Sequence, residues 1–126
     1  MKNVMVCVTK QKTCERLIRR GYEYLGDEEG ELYIIHVAHY ELNFMESDKE
    51  GEALEYLYEK ALEFGANLTV VRSNHVIDTL AELVSKNSIT DLILGESGEN
   101  SGESQFLTKL RNKVKGKAEI IVVPAE

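Results

Sequence analysis

Residues 91–110 read DLILGESGENSGESQFLTKL and contain three successive patterns. A short apolar run typical of a buried strand comes first, a segment rich in glycine and serine follows, and the spaced apolar residues of a helix end the stretch. Parallel α/β sheets hold anions at such strand–loop–helix units, because backbone N–H groups and the helix N-terminus point at one spot. The stretch therefore predicts an open α/β sheet with a candidate anion site.

The same alternation of strand and helix patterns extends over the whole chain. Strands are predicted at 3–9, 32–37, 68–71, 92–94 and 120–123. The first is almost continuously apolar and is expected in the centre of the sheet, whereas the third is short and is expected near an edge. Right-handed crossovers between such strands give a parallel sheet with helices on both faces. We predict an α/β fold with a five-stranded, doubly wound parallel sheet in a single domain, residues 1–126.

Helix boundaries are suggested by capping residues. Thr13 is predicted to cap the first helix, Ser47 opens a capping box for the second, and Asn74 is a capping candidate for the third. Gly26 and Gly65 are placed to end the first two helices. The apolar stripe expected on the second helix consists of Ala53, Leu54, Leu57, Ala61, Leu62 and Phe64.

Composition excludes several classes of function. The chain has 126 residues and a formal net charge of −7, which argues against binding nucleic acid or an anionic membrane. Its apolar runs are far shorter than the roughly 18 residues of a membrane helix, and we expect no signal peptide before the first strand. We expect a cytoplasmic protein in which Cys7 and Cys14 are free thiols.

Four segments resemble the universal stress protein family, which belongs to the adenine nucleotide α-hydrolase-like group of Rossmann-like folds. They are VMVCVTKQKTCERLIRRG at 4–21, IHV at 35–37, DLILG at 91–95 and IVVP at 121–124. The piece ERLIRRG is similar to the stress-protein domain in the sensor kinases of bacterial potassium transport. The resemblance covers nearly the whole chain and implies the same doubly wound fold.

The resemblance also implies a nucleotide site. The family signature is a glycine, two residues, a second glycine, nine residues, then a glycine followed by serine or threonine. Nucleotide-binding members tend to have an aspartate at the end of the first strand, where this chain has Thr9, and bind adenine through the backbone at the position of Val37. The candidate nucleotide-binding residues are Thr9, Val37, Gly95, Gly98, Thr108 and Lys109.

Only half of that signature is kept. Gly95 and Gly98 fill the first two places, but Thr108 stands at the third glycine and is expected to crowd a phosphate. Carboxylates in or beside the loop repel a triphosphate unless Mg²⁺ or a lysine intervenes. These are Glu96, Glu99 and Glu103. The expected cofactor is ATP or another adenine nucleotide, with Mg²⁺, or none at all.

Catalysis and metal binding are not expected. The residues GESG at 95–98 differ from a nucleophile elbow, which requires glycine where Glu99 stands, and every histidine precedes Ser97. His36 and His39 have no third metal ligand at a suitable spacing. We therefore expect neither an enzyme nor a metal site.

Three hypotheses about function remain open. The first is a regulatory module in stress response or signalling that binds an adenine nucleotide, with a cyclic dinucleotide suggested by the potassium-sensor likeness. The second is a protein-interaction scaffold that has lost nucleotide binding, and the third is a weak ATP-hydrolysing enzyme. The resemblance implies a homodimer, often formed along the last strand, which fits the apolar residues 120–123 at a sheet edge, and it allows a regulatory protein partner.

Overall fold

The computed structural model describes residues 2–8, 11–27, 29–38, 47–72, 75–95 and 100–123. Strands and helices alternate along them as the sequence predicts. The elements are β1 (Val4–Val8), α1 (Gln11–Leu25), β2 (Leu32–Ala38), α2 (Ser47–Phe64), β3 (Asn67–Arg72), α3 (Val76–Lys86), β4 (Asp91–Gly95), α4 (Asn100–Val114) and β5 (Glu119–Val123).

The five strands form one parallel sheet in the order β3-β2-β1-β4-β5. The central position predicted for β1 and the edge position predicted for β3 are both confirmed. Val4 of β1 lies opposite Leu32 of β2 on one side and Asp91 of β4 on the other. All five residues of β1 are buried, because this strand has a neighbour on each side and helices on both faces.

The helices cover the two faces of the sheet in pairs. Alternate side chains of a strand point to opposite faces, so β1 contributes to two separate cores. The core under α1 and α2 includes Val4, Val6, Val8, Leu17, Ile18, Leu57 and Ala61. The core under α3 and α4 includes Met5, Cys7, Leu80, Val84, Leu110 and Val114. The doubly wound architecture is therefore confirmed.

A buried polar network ties the amino ends of the strands together. Glu31 donates its backbone N–H to Oδ1 of Asn3 at 3.1 Å, and Nδ2 of Asn3 donates to the Ser88 carbonyl at 3.0 Å. Asp91 accepts hydrogen bonds from Thr90 Oγ1 at 2.7 Å and from the Tyr24 hydroxyl at 3.3 Å. Buried polar side chains need such partners, so these residues stabilise the fold at the amino ends of the strands, opposite the loops that follow their carboxyl ends.

Two helix starts differ from the prediction. Thr13 does not cap α1, because the helix already begins at Gln11. The N-cap of α3 is His75, whose side chain makes no capping hydrogen bond, and not Asn74, which lies outside the described residues. Tertiary packing can extend or shorten a helix relative to its best capping residue, since a cap contributes only about 1 kcal/mol.

The ends of the first two helices follow the prediction, but one apolar residue does not. Gly26 and Gly65 have φ values of +57° and +65°, the left-handed conformation that commonly ends a helix. The predicted burial of Leu62 is wrong, because its side chain is 66% exposed. The buried face of α2 contains Leu57 and Ala61, and Leu62 lies a further 100° around the helix axis from Ala61.

Candidate functional site

The candidate site lies where the winding of the sheet reverses. β1 and β4 are hydrogen-bonded neighbours, with Val6 opposite Ile93. The chain leaves β1 for α1 on one face and leaves β4 for α4 on the other. The two connections therefore run to opposite faces of the sheet, and open α/β sheets bind ligands at the carboxyl ends of strands whose connections diverge in this way. The topology alone therefore identifies the carboxyl ends of β1 and β4 as the candidate site.

Two of the six predicted residues are brought to this edge. Gly95 is the last residue of β4 and lies opposite Val123 of β5. Val37 lies near the carboxyl end of β2, opposite Val71 of β3. Because the sheet is parallel, both positions are on the same edge with β1 between them. Thr9 and Gly98, the other two residues predicted for the strand-end loops, lie outside the described residues.

Thr108 and Lys109 are placed differently from Gly95. Both lie in the third turn of α4, which begins at Asn100, and both are exposed. Their backbone N–H groups are taken up by the helical hydrogen bonds to the preceding turn, so they are not available to a phosphate. Thr108 is about 12 Å along the helix axis from Asn100 at 1.5 Å per residue. Any contact these two residues make with a ligand must come from their side chains.

Gly95 has a packing role that requires no ligand. A Cβ atom at this position would lie 3.1 Å from Cδ1 of Leu17 and 3.4 Å from Cδ2. The absence of a side chain therefore allows α1 to pack closely against the end of β4. The contact of Leu17 with Gly95 depends on the order of the strands in the sheet and cannot be predicted from the spacing of apolar residues.

His36 is a polar residue at this edge that the family signature does not include. Its Nδ1 lies 3.1 Å from the carbonyl oxygen of Val8, the last residue of β1. When Nδ1 carries the proton, it donates to that carbonyl, and Nε2 is left as a hydrogen-bond acceptor. The sequence places His36 beside Val37 but gives no indication of this contact between strands.

Burial or ion pairing shifts the pKa of three side chains on β1, α1 and α2. Burial raises the pKa of the Cys7 thiol to about 12, so this residue is an unreactive thiol. On α1, the hydrogen bond from Lys60 lowers the pKa of Glu15, and the same contact raises the pKa of Lys60. The Lys60 Nζ atom lies 3.0 Å from Glu15 Oε1 and 3.2 Å from Glu63 Oε1, so it links α2 to α1.

Two other kinds of site are absent from the part of the chain that the structure describes. No group of three or more His, Cys, Asp or Glu residues there is arranged to hold a metal ion. His39, which the sequence places near His36, lies outside that part. None of the four helices, over the same described ranges, has the length and apolar character needed to cross a membrane.

These features define a class of protein: a doubly wound parallel α/β domain whose candidate ligand site is at the carboxyl ends of β1 and β4. The model of the universal stress protein family matches residues 1–123. The chain therefore belongs to the universal stress protein family, as the sequence resemblance predicted. No curated protein matches the chain.

Three solved structures with this fold are similar to the chain over nearly the full length of both proteins. A universal stress protein in complex with cAMP has 16% sequence identity and a TM-score of 0.63, and the match covers 99% of this chain and 96% of that one. The protein from Archaeoglobus fulgidus in complex with dAMP has 15% identity, a TM-score of 0.65 and 97% coverage of both chains. A family protein from Arabidopsis thaliana with AMP bound has 16% identity, a TM-score of 0.57 and coverage of 100% and 93%.

Proposed function

We propose that this chain is a cytoplasmic regulatory module of stress response or signalling that binds an adenine nucleotide at the carboxyl ends of β1 and β4. The observation that carries the proposal is the switch point itself, with Gly95 at the end of β4 and Val37 at the end of β2 on the same edge. Structures of the same fold in complex with cAMP, dAMP and AMP support it.

The roles of the residues are taken from the family signature and, for Val37 and Gly95, also from their positions at the strand ends. The backbone of Val37 is assigned to the adenine ring, and Gly95, with Thr9 and Gly98, to the ribose and the first phosphate. Thr108 and Lys109 lie within α4 and can contribute only a hydroxyl and an ammonium group.

The distal half of the family signature therefore supplies no backbone donors for further phosphates, and the sequence adds Glu96, Glu99 and Glu103 nearby. A nucleoside monophosphate suits this site better than a triphosphate, which would need Mg²⁺ to offset the repulsion.

Calorimetric titration with AMP, ATP and cyclic di-AMP, each with and without Mg²⁺, tests this function. We expect AMP to bind with or without the metal, and ATP to bind more weakly unless Mg²⁺ is present. A Gly95→Val variant, which places a branched side chain against Leu17 and so displaces α1 from the end of β4, should lose binding. Heat traces that are flat for all three nucleotides would contradict the proposal.

A scaffold that has lost nucleotide binding is the second candidate. Two observations favour it: Gly95 is explained by its packing against Leu17, and Thr108 lies inside a helix. Replacing Thr108 with glycine and, separately, with alanine tests whether this residue blocks the site. Glycine in a helix interior costs about 1 kcal/mol relative to alanine, so the glycine variant also loosens this turn of α4. An AMP affinity that is gained with glycine and absent with alanine would indicate crowding at an otherwise intact site. A weak ATPase is the third candidate and requires turnover that a single side-chain change abolishes.

The proposed module acts as a homodimer through β5. This strand is at the edge of the sheet, and its residues Ile120, Ile121 and Val122 are only partly buried. An apolar edge strand invites pairing with a second chain, and a dimer would cover it. Light scattering after size exclusion at micromolar concentration should give twice the mass of the 14.3 kDa chain. A monomeric mass at every concentration would contradict this assembly.

A further inference from the structure

The charge of this chain is distributed unevenly along α4. Between Glu103 and Glu119 the sequence contains five basic residues and no acidic residue, although the whole chain carries 22 acidic and 15 basic residues. All five are exposed. We call them the α4 basic surface: Lys109, Arg111, Lys113, Lys115 and Lys117.

Local structure explains only part of this surface. Arg111 and Lys113 lie in the last turn of α4, where cations are favourable because of the helix dipole. Lys113 also contacts Asp78 of α3 at 3.2 Å, and Lys117 donates to Ser85 Oγ at 2.7 Å. Lys115 directly follows the last residue of α4, where the dipole also favours a cation, whereas Lys109 lies more than one turn from that end.

The basic cluster on α1 is arranged differently. There Arg19 contacts Glu15 at 3.3 Å on the same helix, and Glu23 follows in the next turn. On α1 three arginines, Arg16, Arg19 and Arg20, lie between two glutamates, Glu15 and Glu23. The run of cations on α4 is longer, with five basic residues and no carboxylate among them in the sequence.

We propose that the α4 basic surface is a docking site for an acidic segment of a partner protein. Residues spaced by two lie on opposite sides of a helix, so Arg111 and Lys115 form one side of this surface and Lys109 and Lys113 the other. Each side is about 6 Å long at helical rise, which matches about two residues of an extended peptide. Carboxylates of such a segment can pair with the guanidinium of Arg111 and the ammonium of Lys115, which are four residues apart and therefore neighbours. This proposal does not depend on nucleotide binding.

Other polyanions fit the surface less well. Residues 107–118 contain no aromatic side chain on which a base could stack. Their large apolar residues Leu107, Leu110 and Val114 pack into the core, so none is free to enter a membrane. A long nucleic acid would also bring its phosphates near the acidic remainder of the protein, whereas a short acidic segment can contact the α4 basic surface alone.

The test measures binding of a fluorescein-labelled octapeptide of alternating aspartate and glutamate to the full chain, by anisotropy at low salt. We expect Arg111→Glu combined with Lys115→Glu to weaken binding at least tenfold. The neutral pair Arg111→Gln and Lys115→Gln should weaken it about threefold or more, and it replaces the charge-reversed pair if that one does not fold by circular dichroism. The matched control combines Arg20→Glu with Lys86→Glu, two exposed sites, and should change affinity less than twofold.

Three outcomes would overturn the proposal. The first is an equal loss of peptide binding in the control and in the α4 variants, which would indicate a response to net charge alone. The second is tighter binding of an eight-nucleotide single-stranded DNA, or of phosphatidylserine vesicles, than of the octapeptide. The third is the absence of peptide binding to the unchanged protein at millimolar concentration.

Discussion

Gly95 and Leu17 are in direct contact: a Cβ atom added at Gly95 would lie 3.1 Å from Cδ1 of Leu17. The glycine that begins the family signature is thus also the residue that lets α1 pack against β4. One backbone position serves the core and borders the candidate site, so a change there affects stability and ligand binding together.

Alanine at position 95 should cost about 1 kcal/mol of unfolding free energy, because Leu17 must move by a few tenths of an ångström to accommodate the new methyl group. Urea unfolding measures this cost. In a Leu17→Ala background the same substitution should cost nothing further, since the crowded atoms are gone. An equal cost in both backgrounds would show that the contact is not responsible.

Gly21→Ala should also destabilise the protein, by about 1–3 kcal/mol from overpacking, since the added Cβ would overlap Cγ2 of Val6. Helix propensity opposes this effect by about 1 kcal/mol, so a net loss shows that the contact with the sheet dominates. Combining the change with Val6→Ala removes the overlapping atom, and a double-mutant cycle in urea should give a favourable coupling.

Gly30→Ala should be more disruptive than Gly65→Ala, although both glycines have positive φ. At Gly30, with φ +152°, an added Cβ would overlap the carbonyl oxygen of Lys2, whereas at Gly65 nothing lies within 4 Å. We expect a loss above about 3 kcal/mol at Gly30 and about 1–2 kcal/mol at Gly65, where only the left-handed conformation is penalised. Thermal unfolding of the two variants tests the difference, and equal losses would contradict it.

The contact of Lys60 with Glu15 predicts a pH dependence. The pKa of Glu15 is lowered from 4.5, so its stabilising contribution is present above that value and is lost as the pH falls through the folded-state pKa. Carboxyl NMR titration should show the Glu15 pKa returning toward 4.5 in Lys60→Met. In the control Lys86→Met, which removes a distant exposed lysine, the Glu15 pKa should stay low.

Cys7 should not react with a disulfide reagent in the native protein at pH 8, because burial raises its pKa to about 12. A Cys14→Ser variant leaves Cys7 as the single thiol, and denaturant should make it fully reactive. The folded-state pKa is raised from 9.0, so stability is retained below pH 9 and declines as the pH rises toward 12. Rapid labelling of the folded protein at pH 8 would contradict the burial of this side chain.

The fold was largely predictable, because it depends on patterns within short segments. The continuous apolar run of β1 indicated a strand buried on both faces, and Gly26 and Gly65 indicated helix ends. Helix starts were less predictable. Thr13 offered a good cap, yet α1 begins at Gln11, because the energy of one cap is small compared with that of packing a whole helix.

The candidate site was only partly predictable. The sequence correctly places Gly95 at the end of a strand, but it treats Thr108 as the continuation of a glycine signature, and the structure places that residue in the third turn of α4. A motif counts residues along the chain, whereas the availability of a backbone N–H depends on whether a helix has already used it. The contact of His36 with Val8 could not be predicted from the sequence either, because it joins two different strands.

The sequence by itself determined that this protein is a parallel α/β domain of the universal stress protein family, since strand and helix periodicity and turn glycines are local properties. Only the tertiary structure decided which residues meet. The packing of Leu17 on Gly95, the burial of Cys7 and the exposure of Leu62 all depend on how the helices lie on the sheet. Such contacts join segments far apart in the chain, and no spacing rule within one segment specifies them.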